Sequence, residues 1–226
     1  MVVGVDDQDR VEFTATLDHG GDPELVAHAH GFAISAPVDA VRDPDGDLVL
    51  RVRVTPAGDA PGPTVRSRGR DRGLVIPAGV EPEVRQRFAA YAVVRSNRGL
   101  LATEYSDRTA VGGRWGMPGG GIDEGEQPAD AVRREVVEET SQAVVLGRLM
   151  KVQTSHWVGR SPRGTIEDFH AVRLIYRAEC DEPTDPVVID TGGTTETARW
   201  VPLSTWPTLP WTQNWRLVLG ELVAGW

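Results

Sequence analysis

Residues 115–142 read WGMPGGGIDEGEQPADAVRREVVEETSQ, and this stretch decides how the rest of the chain is interpreted. It opens with a glycine-rich turn at 118–121 and continues through an acidic segment that contains Glu126. Pro128 suits the first turn of a helix, because its missing N–H would have no partner there in any case. Apolar and charged residues are interspersed after Pro128, so the stretch predicts a turn followed by a helix with one apolar face.

Three glutamates fall on one side of this predicted helix. Glu138 and Glu139 follow Glu135 by three and four residues, the spacing that brings side chains together on a helix surface. Three carboxylates so close repel one another and need a counter-charge. Hard divalent cations such as Mg²⁺ meet that need, since they take oxygen ligands and keep positions open for water and phosphate oxygens. A solvated acidic surface is the alternative that the trio alone leaves open.

The spacing between the glycine turn and the glutamates is also informative. From Gly120 the chain runs through five residues to Glu126, and through seven more to the run Arg-Glu-Val-Val-Glu-Glu at 134–139. This arrangement resembles the signature box of the Nudix hydrolases, which has Gly, Glu, Arg-Glu, an aliphatic residue and Glu-Glu at these positions. The end of the box departs from the pattern, because Ser141 replaces a glycine and Gln142 replaces an aliphatic residue. A glycine there allows a left-handed helix cap, so the departure concerns how the helix ends.

The resemblance implies a fold class and a reaction. The fold is α/β, a Nudix-type α/β/α sandwich with a mixed sheet, to which this chain adds a small, mostly-β N-terminal appendage. The implied activity is metal-dependent hydrolysis of a pyrophosphate bond, a phosphoanhydride, in a nucleoside diphosphate derivative: a nucleoside triphosphate, an ADP-ribose-like compound or a nucleotide sugar. The implied cofactor is Mg²⁺, with Mn²⁺ as a substitute. The alternative is a non-catalytic Nudix-fold nucleotide sensor or regulator, although such modules usually lose box glutamates that this chain keeps.

The resemblance also assigns roles to individual residues. The metal ligands it implies are Glu135, Glu138 and Glu139, together with Gly120. Glu126 and Arg134 would pair with each other and support the loop–helix geometry. One of the box glutamates, or a glutamate further along the chain, would be the general base. Backbone N–H groups of the glycine turn, including that of Gly119, can face phosphate oxygens because no Cβ stands in the way.

Further site candidates lie outside the box. Glu196 stands in the run GGTTETARW at 192–200, which resembles the glutamate-bearing loop that leads into a strand in this family. It is therefore a candidate for an additional metal ligand or for the general base. Glu167 and Asp168, from the preceding loop, are rivals for the same role.

Three side chains are candidates for substrate binding. Arg108 and Arg114 lie on the approach to the box, where a guanidinium group can bind phosphate oxygens through two hydrogen bonds. Trp157 could stack on a nucleobase, and packing in the core is an equally good interpretation. Trp157 also occupies the region where some Nudix subfamilies carry a diagnostic Pro or Tyr, so no subfamily substrate can be assigned.

The composition limits the class of protein. The 226 residues are 40% hydrophobic and 25% charged, as in globular proteins, and the net charge of −9 opposes binding to bulk nucleic acid. No apolar run approaches the ~20 residues of a membrane span, and the N-terminus does not resemble a signal peptide. Cys180, the lone cysteine, cannot form an internal disulfide. We therefore expect a cytoplasmic protein that acts on a small-molecule nucleotide and needs no membrane, with a homodimer left open.

The chain divides into three expected regions. Residues 1–56 form a small β-rich region, with alternating apolar residues at 11–17 and 48–54 and a helix start at Asp22. His28 and His30 in this region lack a third metal ligand nearby, so we interpret them as structural. The Pro-, Gly- and Arg-rich residues 57–74 form a linker or long loop, in which Arg66, Arg68, Arg70 and Arg72 are more typical of a solvated loop than of a phosphate site.

Residues 75–226 form the expected Nudix hydrolase domain. A β-hairpin is predicted at 89–104, with a turn at Asn97-Arg98-Gly99, followed after the box by strands at 144–152 and 170–178. A polar loop is predicted at 159–168. The expected core residues of the C-terminal part are Trp206, Trp211, Trp215, Leu217, Val218 and Leu219.

Overall fold

A computed structural model of the chain describes residues 1–58, 61–64, 68–161 and 164–226. The described residues form two compact units. The first unit comprises Met1–Ala89 and Lys151–Leu174, and the second comprises Ala90–Met150 and Ile175–Trp226. These units follow spatial contacts, so the expected division of the sequence at residues 56 and 75 stays a prediction.

Strands dominate the described residues, and three α-helices accompany them. In chain order the strands are β1 (Val2–Val5), β2 (Val11–Ala15), β3 (Phe32–Arg42), β4 (Leu48–Pro56), β5 (Gly69–Arg70), β6 (Glu83–Ser96), β7 (Gly99–Tyr105), β8 (Trp115–Gly116), β9 (Gly119–Gly121), β10 (Val145–Arg160), β11 (Ile166–Glu179) and β12 (Thr195–Val201). The α-helices are α1 (Pro23–Ala29), α2 (Pro128–Thr140) and α3 (Gln213–Ala224). In the part of the chain that the structure describes, no helix is long and apolar enough to cross a membrane.

The first unit contains a four-stranded mixed sheet with the strand order β2-β1-β4-β3. Strands β1 and β4 are parallel, and the other two pairs are antiparallel. The helix expected after Asp22 is α1, whose first turn is capped by the Asp22 carboxylate as it accepts the Glu24 N–H at 2.9 Å. The strands expected at 11–17 and 48–54 are present as β2 and β4, whereas β1 and β3 had no clear alternating pattern.

The stretch expected as a linker, 57–74, contains little regular structure among its described residues. Its one strand, β5, runs parallel to β10, with Gly69 opposite Trp157. Within the basic run, Arg68 forms an ion pair with Asp168 at 2.8 Å. Arg66 lies outside the described residues.

The second unit contains the main part of a mixed sheet in which the strands follow the order β12-β7-β6-β11-β10. The predicted hairpin is present as β6 and β7, with Ser96 paired to Gly99 across the two residues Asn97 and Arg98. Strand β12 runs antiparallel to β7 on one side, and the short strand β8 pairs with Thr103 and Glu104 of β7 on the other. Together with α2 and α3, this sheet confirms the α/β fold class.

Two details of the prediction were wrong. The polar loop expected at 159–168 is much shorter, because β10 continues to Arg160 and β11 already begins at Ile166. The hydrogen bond from Ser161 N to Thr165 O, 2.8 Å long, closes this hairpin. Leu217 was expected in the core but is 72% exposed, since it lies two positions after the buried Trp215 and so on the opposite side of α3. The buried face of α3 is formed by Trp215, Val218, Leu219 and Leu222.

Candidate active site

Helix α2 positions the candidate site through the face that it buries. It begins at Pro128, as the sequence predicts, and ends at Thr140. Its buried residues recur at helical spacing: Pro128, Ala131, Val132, Val136, Glu139 and Thr140. The three glutamates therefore differ in exposure. The side chain of Glu138 is 42% exposed and that of Glu135 is 17% exposed, while Glu139 is 7% exposed and lies on the apolar face itself.

Arg134 gathers the carboxylates of the box around one guanidinium group. Its Nε and Nη2 each donate a hydrogen bond of 2.9 Å to a different oxygen of Glu126. Its Nη1 donates to Glu135 at 2.9 Å and to Glu138 at 3.0 Å. The hydrogen bonds that Arg134 donates to Glu126 lower the pKa of Glu126 and raise the pKa of Arg134, so both groups are charged. This bidentate pair joins the loop before α2 to the helix.

Glu139 is held in place by two donors from other parts of the unit. One carboxylate oxygen accepts the Gly119 N–H at 2.9 Å, and the other accepts the hydroxyl of Thr195 on β12. Burial raises the pKa of Glu139 to about 7, and these two hydrogen bonds partly oppose the rise. The nearby carboxylates of Glu135 and Asp190 add to it. A cation beside Glu139 would favour its charged form.

Two glycines of the turn before α2 make close contacts. Gly119 has φ +142°, and a Cβ there would lie 2.3 Å from the carbonyl oxygen of Ala90, so the backbone requires glycine at this position. A Cβ on Gly120 would lie 2.5 Å from the carboxyl group of Glu135. The backbone of the turn therefore passes directly against the acidic face of α2.

The end of α2 explains both departures from the family pattern. Ser141 adopts the left-handed conformation, with φ 57° and ψ 17°, and its N–H bonds to Val137 O at 2.8 Å. Gln142 is 2% exposed, and its amide is fully used: it donates to Thr184 Oγ1 at 2.9 Å and accepts from Thr184 N at 3.0 Å. A buried amide is tolerated here because it has partners. The helix ends where the family pattern predicts, although the residues differ.

Segment 187–190 was not recognised from the sequence as part of this region. Its backbone N–H groups bond to the last carbonyls of α2, with Val187 N donating to Thr140 O at 3.1 Å and Ile189 N donating to Glu138 O at 2.8 Å. Asp190 thereby comes close enough to raise the pKa of Glu139. Thr195 was missed as well. Only Glu196 beside it was singled out, because a threonine hydroxyl carries no distinctive sequence pattern.

Glu196 and Arg108, two further candidates from the sequence, are both exposed. Glu196 is exposed on β12 at a register shift between Thr195 and Thr197, directly after the residue that bonds Glu139. Such bulges re-aim a side chain and are frequent beside functional sites. Arg108 is exposed and donates a hydrogen bond to the carbonyl of Gly192 in the loop before β12.

Arg114 lines a different cavity of the second unit, with a volume of about 280 Å³. The other described residues that line it are Val111, Trp211, Thr212, Gln213 and Arg216, and none of them is a box glutamate. Trp157, Glu167 and Asp168 belong to the first unit. There the Trp157 ring lies 4.7 Å from that of Phe169, and Glu167 forms an ion pair with Arg85 at 3.1 Å. The roles expected for these residues stay predictions.

The donor set on α2 fits a hard divalent cation. Three carboxylates lie within residues 135–139 of α2, and two of them are bonded to Arg134. The glycine turn leaves the space beside Glu135 free of any side chain of its own. Carboxylate oxygens are the ligands that Mg²⁺ prefers. Arg134 supplies fixed positive charge to this set, and an added cation would reduce the repulsion that remains.

Comparison with known proteins identifies the family. The family model of the NUDIX domain matches residues 85–218, which is more than half of the chain. The nucleoside triphosphatase NudI of Escherichia fergusonii is 30% identical over 96 residues, covering 41% of this chain and 68% of NudI. An RNA pyrophosphohydrolase of Rhodopseudomonas palustris is 33% identical over 135 residues, covering 53% of this chain and 72% of that protein.

Solved structures are also similar to this chain, at lower identity. The MutT protein of Methanosarcina mazei superimposes with a TM-score of 0.48 and 18% identity, covering 65% of this chain and 97% of that protein. The assignment depends on the sequence matches and on the intact Gly120-to-Glu139 box. The chain is therefore a hydrolase of the Nudix family.

Proposed function

We propose that the chain hydrolyses a pyrophosphate bond in a nucleoside diphosphate derivative and that this activity depends on Mg²⁺, which Mn²⁺ can replace. The observation that carries the proposal is the carboxylate cluster of α2, in which Glu135 and Glu138 share the Arg134 guanidinium and Glu139 is held by the glycine turn at Gly119. The substrate is polyanionic and repels both hydroxide and these carboxylates. A divalent cation is the group that resolves both repulsions.

The residues of the cluster have different proposed roles, which follow from their contacts. Glu135, Glu138 and Glu139 would hold the metal, which supplies charge neutralisation and lowers the pKa of a bound water. Glu139 is anchored by Gly119 and Thr195, so its carboxylate cannot turn away. Arg134 steadies Glu135 and Glu138 while remaining tied to Glu126.

The general base is one of the more exposed carboxylates. A base must reach the attacking water, and Glu138 and Glu196 are the most accessible of the proposed set. The buried Glu139 has both oxygens engaged by donors, which favours a ligand role over proton transfer. Backbone N–H groups of the glycine turn can face phosphate oxygens, as the sequence suggested.

The substrate class that we favour is a nucleoside triphosphate, because the relative NudI is a nucleoside triphosphatase. A second candidate is the 5′-triphosphate end of RNA, since another relative, 33% identical, is an RNA pyrophosphohydrolase. The net charge of −9 opposes binding along an RNA backbone. A free nucleotide avoids that repulsion, which is why we rank it first.

The experiment is a substrate panel assayed with Mg²⁺ and with EDTA. It contains the canonical nucleoside triphosphates, ADP-ribose, a nucleotide sugar, a dinucleoside polyphosphate and a short RNA with a 5′-triphosphate. Products are identified by ³¹P NMR, which distinguishes release of pyrophosphate from release of phosphate. We expect Mg²⁺-dependent conversion of nucleoside triphosphates to the monophosphate and pyrophosphate.

The outcomes separate the candidates. Turnover of the RNA but not of free nucleotides would move the substrate assignment to RNA ends, while leaving the metal chemistry intact. Turnover of nucleotides that persists fully in EDTA would contradict the metal-dependent proposal. Binding of Mg²⁺ without turnover of any panel member would instead favour the nucleotide-sensor alternative.

A further inference from the structure

A second polar cluster lies in the first unit and shares no residue with the α2 cluster. His19 precedes α1, His156 lies on β10, and Asp168 lies on β11. One potential ligand atom of each residue lies within 4.8 Å of those of the other two. His156 Nε2 is 2.6 Å from Asp168 Oδ1, and His19 Nε2 is 3.4 Å from the same oxygen. Nothing in the box or in the proposed hydrolysis uses these side chains.

His19 is the member of the cluster that hydrogen bonds do not explain. Both of its ring nitrogens are buried, and neither has a hydrogen-bond partner among the described residues. The 3.4 Å approach to Asp168 therefore lacks hydrogen-bond alignment. A buried polar atom without a partner costs about 1–3 kcal/mol. Two such atoms on one ring indicate that the ring binds something other than a hydrogen-bonding side chain.

The backbone is shaped to bring His19 to His156. Gly20 has φ +75°, and a Cβ there would lie 2.5 Å from Nδ1 of His156. The chain can therefore pass against the imidazole ring of His156 only because residue 20 is glycine. The two rings meet edge to face, with centroids 5.0 Å apart. The segment before α1 is thus fitted closely onto β10.

The two oxygens of Asp168 face different partners. Oδ1 lies against His156 and His19, while Oδ2 accepts a hydrogen bond from Arg68 at 2.8 Å. One carboxylate oxygen is therefore directed toward both imidazole rings, and metal binding uses a carboxylate and neutral imidazoles.

The chemistry of the ligands selects the type of metal. Two imidazole nitrogens and one carboxylate oxygen are typical ligands of Zn²⁺ and of similar transition metals, whereas Mg²⁺ prefers oxygen alone. We propose that His19, His156 and Asp168 form a binding site for a transition metal of the zinc type. The bound ion gives the His19 ring a partner and fastens the segment before α1 to β10 and β11.

The site has a structural consequence within its own unit. His19 and His156 are far apart in the sequence, so a metal that joins them closes a long loop and restricts the unfolded chain. An existing hydrogen bond acts at the same place, because Thr154 Oγ1 donates to Asp22 Oδ2 at 2.7 Å. The metal would strengthen a junction that the side chains already form. We therefore expect bound metal to raise the thermal stability of the protein.

The test uses Co²⁺ as a spectroscopic substitute for Zn²⁺. The full-length protein is stripped of metal, supplied with excess Mg²⁺ to satisfy the α2 carboxylates, and titrated with Co²⁺. We expect visible d–d absorption typical of low-coordinate Co²⁺ with nitrogen and oxygen ligands, saturating at one equivalent. Sulfur-to-cobalt charge transfer should be absent, because Cys180 is not in the ligand set. Zn²⁺ should displace the signal and raise the melting temperature by several degrees.

Matched variants locate the site. His156→Gln and Asp168→Asn each remove one ligand with little change in volume. Loss of a residue that only supports a metal ligand lowers metal affinity by about 10- to 100-fold. Each of these variants should lower the affinity for Co²⁺ by more than that. His28→Gln, the same substitution on α1 in the same unit, should leave the spectrum unchanged. Glu138→Gln should also leave it unchanged, which excludes the carboxylates of α2 as its source.

Two results would overturn the proposal. The first is wild-type protein that gives no Co²⁺ spectrum and no Zn²⁺-dependent rise in melting temperature, which would make the cluster an ordinary ion pair. The second is a spectrum that survives in both ligand variants. Circular dichroism checks that the variants are folded. His19→Gln, in a segment outside helices and strands, serves as the third variant if a substitution on β10 or β11 prevents folding.

Discussion

The two polar clusters differ in how the chain assembles them. The α2 cluster takes Glu126, Arg134 and three further glutamates from a single short stretch, and one helix sets their spacing. The cluster in the first unit takes His19 from the segment before α1, and His156 and Asp168 from two later strands. The first is mostly acidic and surrounds one guanidinium group, whereas the second combines two imidazoles with one carboxylate.

This difference determines which type of metal ion suits each cluster. A cluster of carboxylates on a helix stays open to solvent on one side, so it suits a hard cation that must also hold phosphate oxygens. The imidazole cluster is partly buried, and its ring nitrogens suit a softer metal with a structural role. Under the two proposals, the same protein would use two metals for two purposes. The following variants test how far the two clusters are independent.

The largest effect is expected for Glu138→Gln, which removes one charge from the acidic cluster at nearly constant volume. Turnover should fall by about two to four orders of magnitude, because this carboxylate is a proposed metal ligand and one of the two candidates for the general base. Steady-state rates and Mg²⁺ titration measure the loss. The Co²⁺ spectrum assigned to the histidine cluster should be unaffected.

The control for this variant is Asp130→Asn on the same helix. Asp130 is exposed in the first turn of α2 and pairs with Arg133 at 3.0 Å, away from the box glutamates. Its loss should change activity by less than about twofold, as surface ion pairs contribute little. Equal activity losses in both variants would point to damage of α2 as a whole and would contradict the assignment to Glu138.

The next effect concerns the backbone that carries the acidic cluster. Gly119→Ala places a methyl group against the Ala90 carbonyl and should destabilise the protein by about 3 kcal/mol. Gly125→Ala is the matched control, since φ is +77° there but a Cβ would meet nothing within 4 Å. Its cost should be about 1 kcal/mol. Urea denaturation measures the loss of stability in both variants. Equal losses would show that the close approach of Gly119 to Ala90 does not require glycine.

The same contrast explains what the sequence could predict. The glutamate spacing, the glycine turn and the start of α2 at Pro128 are local features, so helix periodicity and turn chemistry were enough to find them. Thr195, Asp190 and His19 join their clusters only through contacts distant along the chain. A lone histidine or threonine carries no periodic pattern, and strand pairing decides which side chains meet. The length of β10 and β11 was underestimated because the polar composition of residues 159–168 is typical of a loop.

A smaller effect is expected when the salt bridge between Arg134 and Glu126 is weakened. Arg134→Lys keeps the charge but loses the two-pronged contact, and Glu126→Gln removes the charge of its partner. A double-mutant cycle on the free energy of unfolding should give a coupling of about 1–2 kcal/mol. Additive effects would mean that the pair does not act as a unit, and the loop–helix junction would need another explanation.

The histidine cluster allows a comparable test in the absence of metal. Thr154 is buried and donates its hydroxyl to Asp22, the residue that caps α1. Thr154→Val should lower the free energy of unfolding by about 1 kcal/mol in metal-free protein. Thr165→Val in the exposed hairpin loop is the control, with an expected change of less than about 0.5 kcal/mol. If Thr154→Val lowers the free energy of unfolding no more than Thr165→Val does, the junction between the segment before α1 and β10 depends on metal alone.

The smallest effect is expected for Ser141→Gly, which restores the family residue at the end of α2. Ser141 adopts the left-handed conformation with φ 57°, which favours glycine by about 1 kcal/mol. The change also removes the Ser141 hydroxyl, which accepts a 3.2 Å hydrogen bond from Val187 N. The two effects partly cancel, so we expect stabilisation of less than about 1 kcal/mol and activity unchanged within twofold. A large loss of activity would mean that the hydrogen bond from segment 187–190 to Ser141 positions Asp190 and Glu139, and that the end of the box belongs to the working site.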